Sequence, residues 1–187
     1  GKLKGKAFIV CKNVTDKLWE DHLAGTPPAL GIIPIREDNS CCWGCIDIDV
    51  YNLKHHSLIQ TIRKLKLPLI VCRSKSGGAH VFLFTKELIP ASLMQSKLKK
   101  IAKTLGHEGC EIFPKQTEIL VERGDTGNFL NLPYYNEMKG LRYAYDDAGN
   151  AITLDKFYLL YAEKALTERG IREIEITEAE TNEAFTL

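Results

Sequence analysis

Residues 43–51 read Trp43-Gly44-Cys45-Ile46-Asp47-Ile48-Asp49-Val50-Tyr51, WGCIDIDVY, and the rest of the fold is read outward from them. On a strand, successive side chains point to opposite faces, so Ile46, Ile48 and Val50 share one face and Asp47 and Asp49 the other. The β-branched residues and flanking aromatics suit extended backbone. Two carboxylates side by side on one face repel each other unless a cation lies between them. Oxygen donors at that spacing suit Mg²⁺ or Mn²⁺ rather than zinc. An edge strand with two solvated aspartates fits the same pattern.

After this strand, Leu53 to Lys66 carries Leu58, Ile59, Ile62 and Leu65 at helical spacing, and Pro68 ends the helix. Leu69–Cys72 is a short buried strand, Arg73–Gly78 a polar turn, and Ala79–Thr85 a strand apolar on both faces. Pro90 opens a helix to Leu105, which Gly106–Gly109 breaks. Glu111–Phe113, Thr117–Glu122 and Asn128–Leu132 read as short strands, and Leu154–Leu166 as a helix. Ahead of the aspartates, strands over Lys6–Lys12 and Leu30–Ile35 flank a helix over Val14–Ala24, with Thr15 as its N-cap. The central order strand, helix, strand, strand, helix, strand predicts an α+β, RRM-like core: a mixed or antiparallel sheet with helices on one face. The core is expected over residues 41–170, with a small N-terminal α/β subdomain over 1–40 packed on it and a tail or linker over 171–187. Asp47 and Asp49 then lie on the face without helices.

Bulk properties narrow the class. With 187 residues there is enough chain for one sizeable core. The net charge of +1 lacks the signature of an architectural nucleic-acid binder, so any such contact must come from local patches. The stripe Lys97, Lys100 and Lys103 offers a track for a nucleic-acid strand but reads first as a solvated helix face. No apolar run approaches the ~18 residues of a membrane span, so no membrane partner is expected. No secretory leader pattern is present. The six cysteines lie mostly in apolar, strand-like contexts, as buried free thiols do. Cys42 and Cys45 form a C-x-x-C without the second pair that a zinc site needs. The expectation is a reduced, cytoplasmic protein.

Three further stretches carry chemistry. In Cys72–Phe84, CRSKSGGAHVFLF, Gly77 and Gly78 allow a ligand to approach backbone N–H groups. Ser74 and Ser76 add hydroxyls, Arg73 and Lys75 add charge, and His80 opens the next strand, a set suited to anions. It is not a Walker A loop, because the GxxxxGK[ST] spacing is absent and a strand follows. An ordinary hairpin with a half-buried histidine fits as well. In Cys110–Gln116, CEIFPKQ, Glu111 is placed to add a third carboxylate, and Lys115 and Gln116 follow a turn-fixing proline. In Gly127–Tyr135, GNFLNLPYY, Asn128 and Asn131 interrupt an apolar strand, and Tyr134 or Tyr135 offers a ring for a base, or core packing.

A carboxylate pair on a strand, a Ser/Gly loop running into His and then a third acid resemble the archaeo-eukaryotic primase superfamily. CIDIDV matches its hhDhD/E strand, Ser74 to His80 its S-x-x-x-G-x-H element, and Glu111 its third carboxylate. EIFPKQ followed by GNFLNLPYY resembles the primase-polymerase branch of phages, conflict systems and CRISPR-associated proteins. The resemblance spans Phe8 to Tyr135. It departs from the commonest pattern at Glu111, where an Asp is usual.

That resemblance implies a template-directed nucleotidyltransferase, a DNA primase/polymerase adding nucleotides to a 3′-hydroxyl. Asp47, Asp49 and Glu111 would be catalytic and hold two Mg²⁺ or Mn²⁺ ions. Arg73, Ser74, Lys75, Ser76, Gly77, Gly78, His80, Lys115 and Gln116 would bind the nucleotide, and Asn128, Asn131 and Tyr134 the template. The implied partners are a single-stranded DNA template and primer, dNTP or NTP substrates, and a fused or associated helicase or other replication or defence module. A two-metal nuclease and a non-catalytic RRM-like binding module are the other classes. A nuclease would not need the phosphate loop, and a binding module would carry aromatics where the aspartates stand.

Overall fold

The computed structural model describes residues 8–10 and 14–175. The strands are β1 (Gly31–Ile32), β2 (Ser40–Ile48), β3 (Leu69–Arg73), β4 (Ala79–Pro90), β5 (Glu111–Phe113), β6 (Leu130–Asn131), β7 (Ala144–Tyr145) and β8 (Ala151–Ile152). The α-helices are α1 (Asp16–Ala24), α2 (His55–Lys64), α3 (Ala91–Thr104), α4 (Leu154–Lys164) and α5 (Glu168–Glu173). The fold is α+β. Six strands form one sheet in the order β5-β2-β4-β3-β7-β8, with every pair antiparallel, while β1 and β6 pair separately. The run from β2 to β5 is β-α-β-β-α-β, with β2 and β4 side by side at its centre.

Residue alternation along β2 creates two cores. Ile46 and Ile48 are fully buried and pack with Leu58, Ile59 and Ile62 of α2 and Met94, Leu98 and Ile101 of α3. Burying each such side chain contributes about 1.5–3 kcal/mol. Gly44 lies against α3: a Cβ there would stand 2.6 Å from both Leu98 Cδ1 and Met94 Cγ, so the helix rests directly on the strand backbone. Cys45 faces the other way, into a cluster with Ile70, Cys72, Phe82, Phe113 and Tyr134. Helix α4 joins that cluster through Phe157, Leu160 and Tyr161, so a helix also covers part of this second face. The alternation resets at Cys42, where β4 inserts residues 85–88 between the partners of Cys41 and Trp43. Cys42 is exposed while Cys45 is buried in the aromatic cluster, which separates the two thiols of the C-x-x-C.

Several expected elements differ. Of the strand expected over residues 6–12, residues 8–10 are not in a strand, and the rest lies outside the described residues. The strand expected over Leu30–Ile35 shrinks to β1, because Pro34 cannot donate to a ladder. No strand forms over Thr117–Glu122: Asn39 Oδ1 accepts the Ile119 N–H at 2.8 Å and Asp125 Oδ2 that of Leu120 at 3.2 Å, taking donors that a ladder needs. A 3₁₀ turn, Val121–Arg123, follows. Val50, expected to share the face of Ile46 and Ile48, is exposed, because β2 ends at Ile48. The expected tail from residue 171 begins inside α5, whose Ile171 is fully buried; residues 176–187 lie outside the described residues. Among the described residues no helix is long and apolar enough to cross a membrane.

One histidine pins the second face to α1. His22 is buried; its Nε2–H donates to Pro133 O at 2.8 Å and its Nδ1 accepts the Leu30 N–H at 3.0 Å. Only the neutral ring makes both bonds. Burial, followed by the charge of Arg142, holds its pKa below 6.5. The unfolded chain therefore binds the extra proton first, so stability that is complete above pH 6.5 is lost as pH falls below it. The melting temperature of His22→Gln, whose amide offers the same donor and acceptor without titrating, is expected to fall less between pH 7 and pH 5 than that of the parent. Parallel curves for the two proteins would show that the ring is not held neutral.

Candidate active site

The carboxylates and the histidine form one row across the sheet. Cys72 of β3 pairs with His80 of β4, His80 with Asp47 of β2, and Asp47 with Glu111 of β5. Directly paired residues point to the same face, which is here the one carrying Cys45 and Phe82. Cys72 closes the row at its covered end, while Glu111 is exposed at the other. His80 Nε2 lies 3.5 Å from Asp47 Oδ1, and the ring also bonds the backbone of Asn131. Burial first, then the charge of Arg142, lowers the His80 pKa to about 4, so the ring is neutral at physiological pH. Asp47 is pushed up to about 6, first by burial and then by Glu111 and Asp49, with Lys115 opposing.

The loop between β3 and β4 is seated on the end of β2. Ser74 N–H donates to Gly78 O at 3.0 Å, and Gly77 turns the chain with φ +93°. The hydroxyls of Ser74 and Ser76 are 3.1 Å apart, and Ser76 donates to Asp49 Oδ1 at 2.9 Å. His55 of α2 donates from Nε2 to Gly78 O at 2.9 Å. Arg73 Nη1 donates to Leu141 O at 3.1 Å, tying the loop base to the segment before β7, and Lys75 is exposed.

The remaining expected residues divide. Lys115 Nζ is 2.7 Å from Glu111 Oε2 and lies over the Phe113 ring, so it answers the charge of Glu111. Gln116 and Asn128 clasp each other: the Gln116 amide donates to Asn128 Oδ1, and Asn128 N–H donates to Gln116 Oε1 at 3.2 Å. Asn131 is exposed on β6. Tyr134 is only 3% exposed; its hydroxyl donates to Ile152 O at 3.1 Å and accepts from Ala144 N at 3.3 Å. That placement leaves no ring face for a template base. Lys97, from the basic stripe, donates to the carbonyls of Arg172 and Ile174 and so binds α5. Arg142 was not among the expected residues. Its only sequence signal is a lone charge in the aromatic run LRYAY.

Among the described residues no three His, Cys, Asp or Glu side chains converge into a ready cation cage. Asp47, Asp49 and Glu111 nevertheless interact as charges, and their donors are all carboxylate oxygens, the chemistry that Mg²⁺ and Mn²⁺ accept. Glu111 is engaged by Lys115 in this arrangement. The archaeo-eukaryotic primase domain of TOTE conflict systems matches residues 4–174. No curated protein matches the chain.

Proposed function

The chain belongs to the archaeo-eukaryotic primase domains of TOTE conflict systems, a family of primase, nucleotidyltransferase type, and we propose that it extends a primer on a single-stranded DNA template. The observation that carries this reading is the row Glu111–Asp47–His80, with the Ser/Gly loop pinned to Asp49 beside it. Asp47 and Asp49, joined by Glu111, would hold divalent metal, which when bound acidifies the 3′-hydroxyl and neutralises the leaving pyrophosphate. The chain's own groups position the substrate. Backbone N–H groups and hydroxyls of the loop grip the triphosphate, and His80 donates to it by exchanging the bond that its ring makes to the Asn131 backbone. So oriented, the 3′-oxygen bonds the α-phosphorus as the bond to pyrophosphate breaks, and positioning supplies much of the acceleration. Asn131, exposed beside the bond that its backbone makes to His80, is the residue proposed for template contact. Substrates are dNTPs or NTPs, and a helicase or other defence module is the expected associate.

The test is incorporation of labelled nucleotide on a single-stranded template with Mg²⁺ or Mn²⁺, with and without primer. Degradation of the strand in the absence of nucleotide would instead identify a nuclease. In the same assay His80→Ala is expected to raise the nucleotide KM about tenfold, since a charge-assisted bond contributes about 1.5–3 kcal/mol. Template affinity, read by fluorescence anisotropy, should not change. The reverse pattern would assign the loop to the strand.

A further inference from the structure

The carboxylate row carries a cation of its own. Lys115 Nζ stands 2.7 Å from Glu111 Oε2, and its charge also reaches Asp47, where it opposes the effect of burial, Glu111 and Asp49. Glu111 and Asp47 are directly paired across β5 and β2, so one ammonium acts on both. Two supports hold it there. Gln95 of α3 donates from Nε2 to Pro114 O at 2.9 Å and to Lys115 O at 2.8 Å, which fixes the backbone from which the side chain starts. The Phe113 ring lies beneath the ammonium, 5.1 Å from centroid to Nζ, and a ring face attracts a cation. Phe113 is buried in the second core, so that ring is fixed in turn. A lysine that is merely solvated has neither support. The pair is nevertheless open to solvent: the Glu111 side chain is 60% exposed and that of Lys115 32%. Ion pairs this exposed contribute little. A doubly charged ion that can share Glu111 with Asp47 competes well against a single ammonium.

We infer that Lys115 is a built-in counter-cation that a divalent ion must displace from Glu111, so that the chain's own lysine sets the threshold for metal uptake. This role rests on the reading of Asp47, Asp49 and Glu111 as metal ligands under the proposed function, and it goes beyond that reading by giving Lys115 an effect opposed to metal binding. The ammonium relieves the repulsion within the row when divalent ions are scarce. It also keeps the row from holding an ion permanently.

The test reads metal binding and needs no turnover. Mn²⁺ is titrated into the whole chain without nucleotide, and the free ion is measured by electron paramagnetic resonance. Lys115→Gln is expected to bind Mn²⁺ about three- to tenfold more tightly than the parent, the range that an exposed ion pair allows. Lys115→Arg, which keeps the charge, should bind no more tightly than the parent. Lys75→Gln removes an exposed charge of the β3–β4 loop and should change the affinity less than twofold. In a Glu111→Gln background the gain from Lys115→Gln should vanish, because the effect passes through that carboxylate. Equal or weaker binding by folded Lys115→Gln overturns the counter-cation and leaves the metal reading standing. An undiminished gain with Glu111→Gln in place overturns it as well, since the effect is then diffuse charge and not displacement. No binding by either the parent or Lys115→Gln, or binding that survives Asp49→Asn, removes the metal reading and the counter-cation with it.

Discussion

Asp47→Asn is expected to melt at a higher temperature than the parent at pH 8 and to incorporate no measurable nucleotide. Both effects have one source. Asp47 has its carboxyl raised from 3.8 to about 6 by burial and by the neighbouring Glu111 and Asp49, so above pH 6 the fold bears the cost of an ionised, crowded carboxylate. The sign follows from proton linkage. The folded state binds more protons between pH 4 and 6, so stability declines as pH rises through that window. A carboxyl moved that far costs at most about 3 kcal/mol once ionised. Asn removes the charge and recovers part of that cost, a gain of a few degrees at roughly 2–4 °C per kcal/mol for a chain of this size. At pH 5 the gain should shrink, because the parent is then largely protonated. Activity moves the opposite way, since losing such an electrostatic group costs well over ~3 kcal/mol of barrier, more than a hundredfold in rate. Melting curves at pH 5 and 8 and primer extension on the same preparations test both halves. A folded Asp47→Asn that incorporates normally would falsify the catalytic assignment, and one no more stable at pH 8 would show that the carboxylates are not crowded.

Gly78→Ala should damage both fold and function. A Cβ at residue 78 would stand 2.0 Å from Ile48 O and 3.3 Å from Asp49 Cα, both backbone atoms that no rotamer change can move aside. The methyl must lift the loop or part the ends of β2 and β4. Overpacking of this kind costs about 1–3 kcal/mol, a fall of roughly 2–12 °C in melting temperature. Lifting the loop also separates Ser76 from Asp49, so the nucleotide KM should rise more than tenfold. Gly77→Ala is the control. Its new methyl meets only Arg73 Nη2, at 3.5 Å, so the main cost is the left-handed φ, about 1–2 kcal/mol. If Gly78→Ala melts and extends like the parent, the loop does not sit on the aspartate strand.

The parts of this site that share one strand were legible in the sequence. The alternation of WGCIDIDVY buries Ile46 and Ile48 and presents Asp47 opposite, as observed. The pairing that puts His80 on one side of Asp47 and Glu111 on the other was not legible, because register is set by tertiary packing that no single strand encodes. Tyr134 and Tyr135 are adjacent and chemically alike, so composition alone does not say that Tyr134 is the buried one. β7 and β8 have two residues each, too few for a period to register. Arg142 lies in the segment they organise, which is why the sequence left it unmarked.

The site also divides in time. Asp47 and His80 stand on β2 and β4, neighbours at the centre of the six-stranded sheet with a core on each face. Their amides are expected to exchange only with global unfolding, which hydrogen exchange would measure, and their spacing to stay constant over a turnover. Glu111 stands on a three-residue edge strand, held by an exposed ammonium, and edges open by local fraying at far lower free energy. Glu111 is therefore expected to move on its own clock, which global stability does not set.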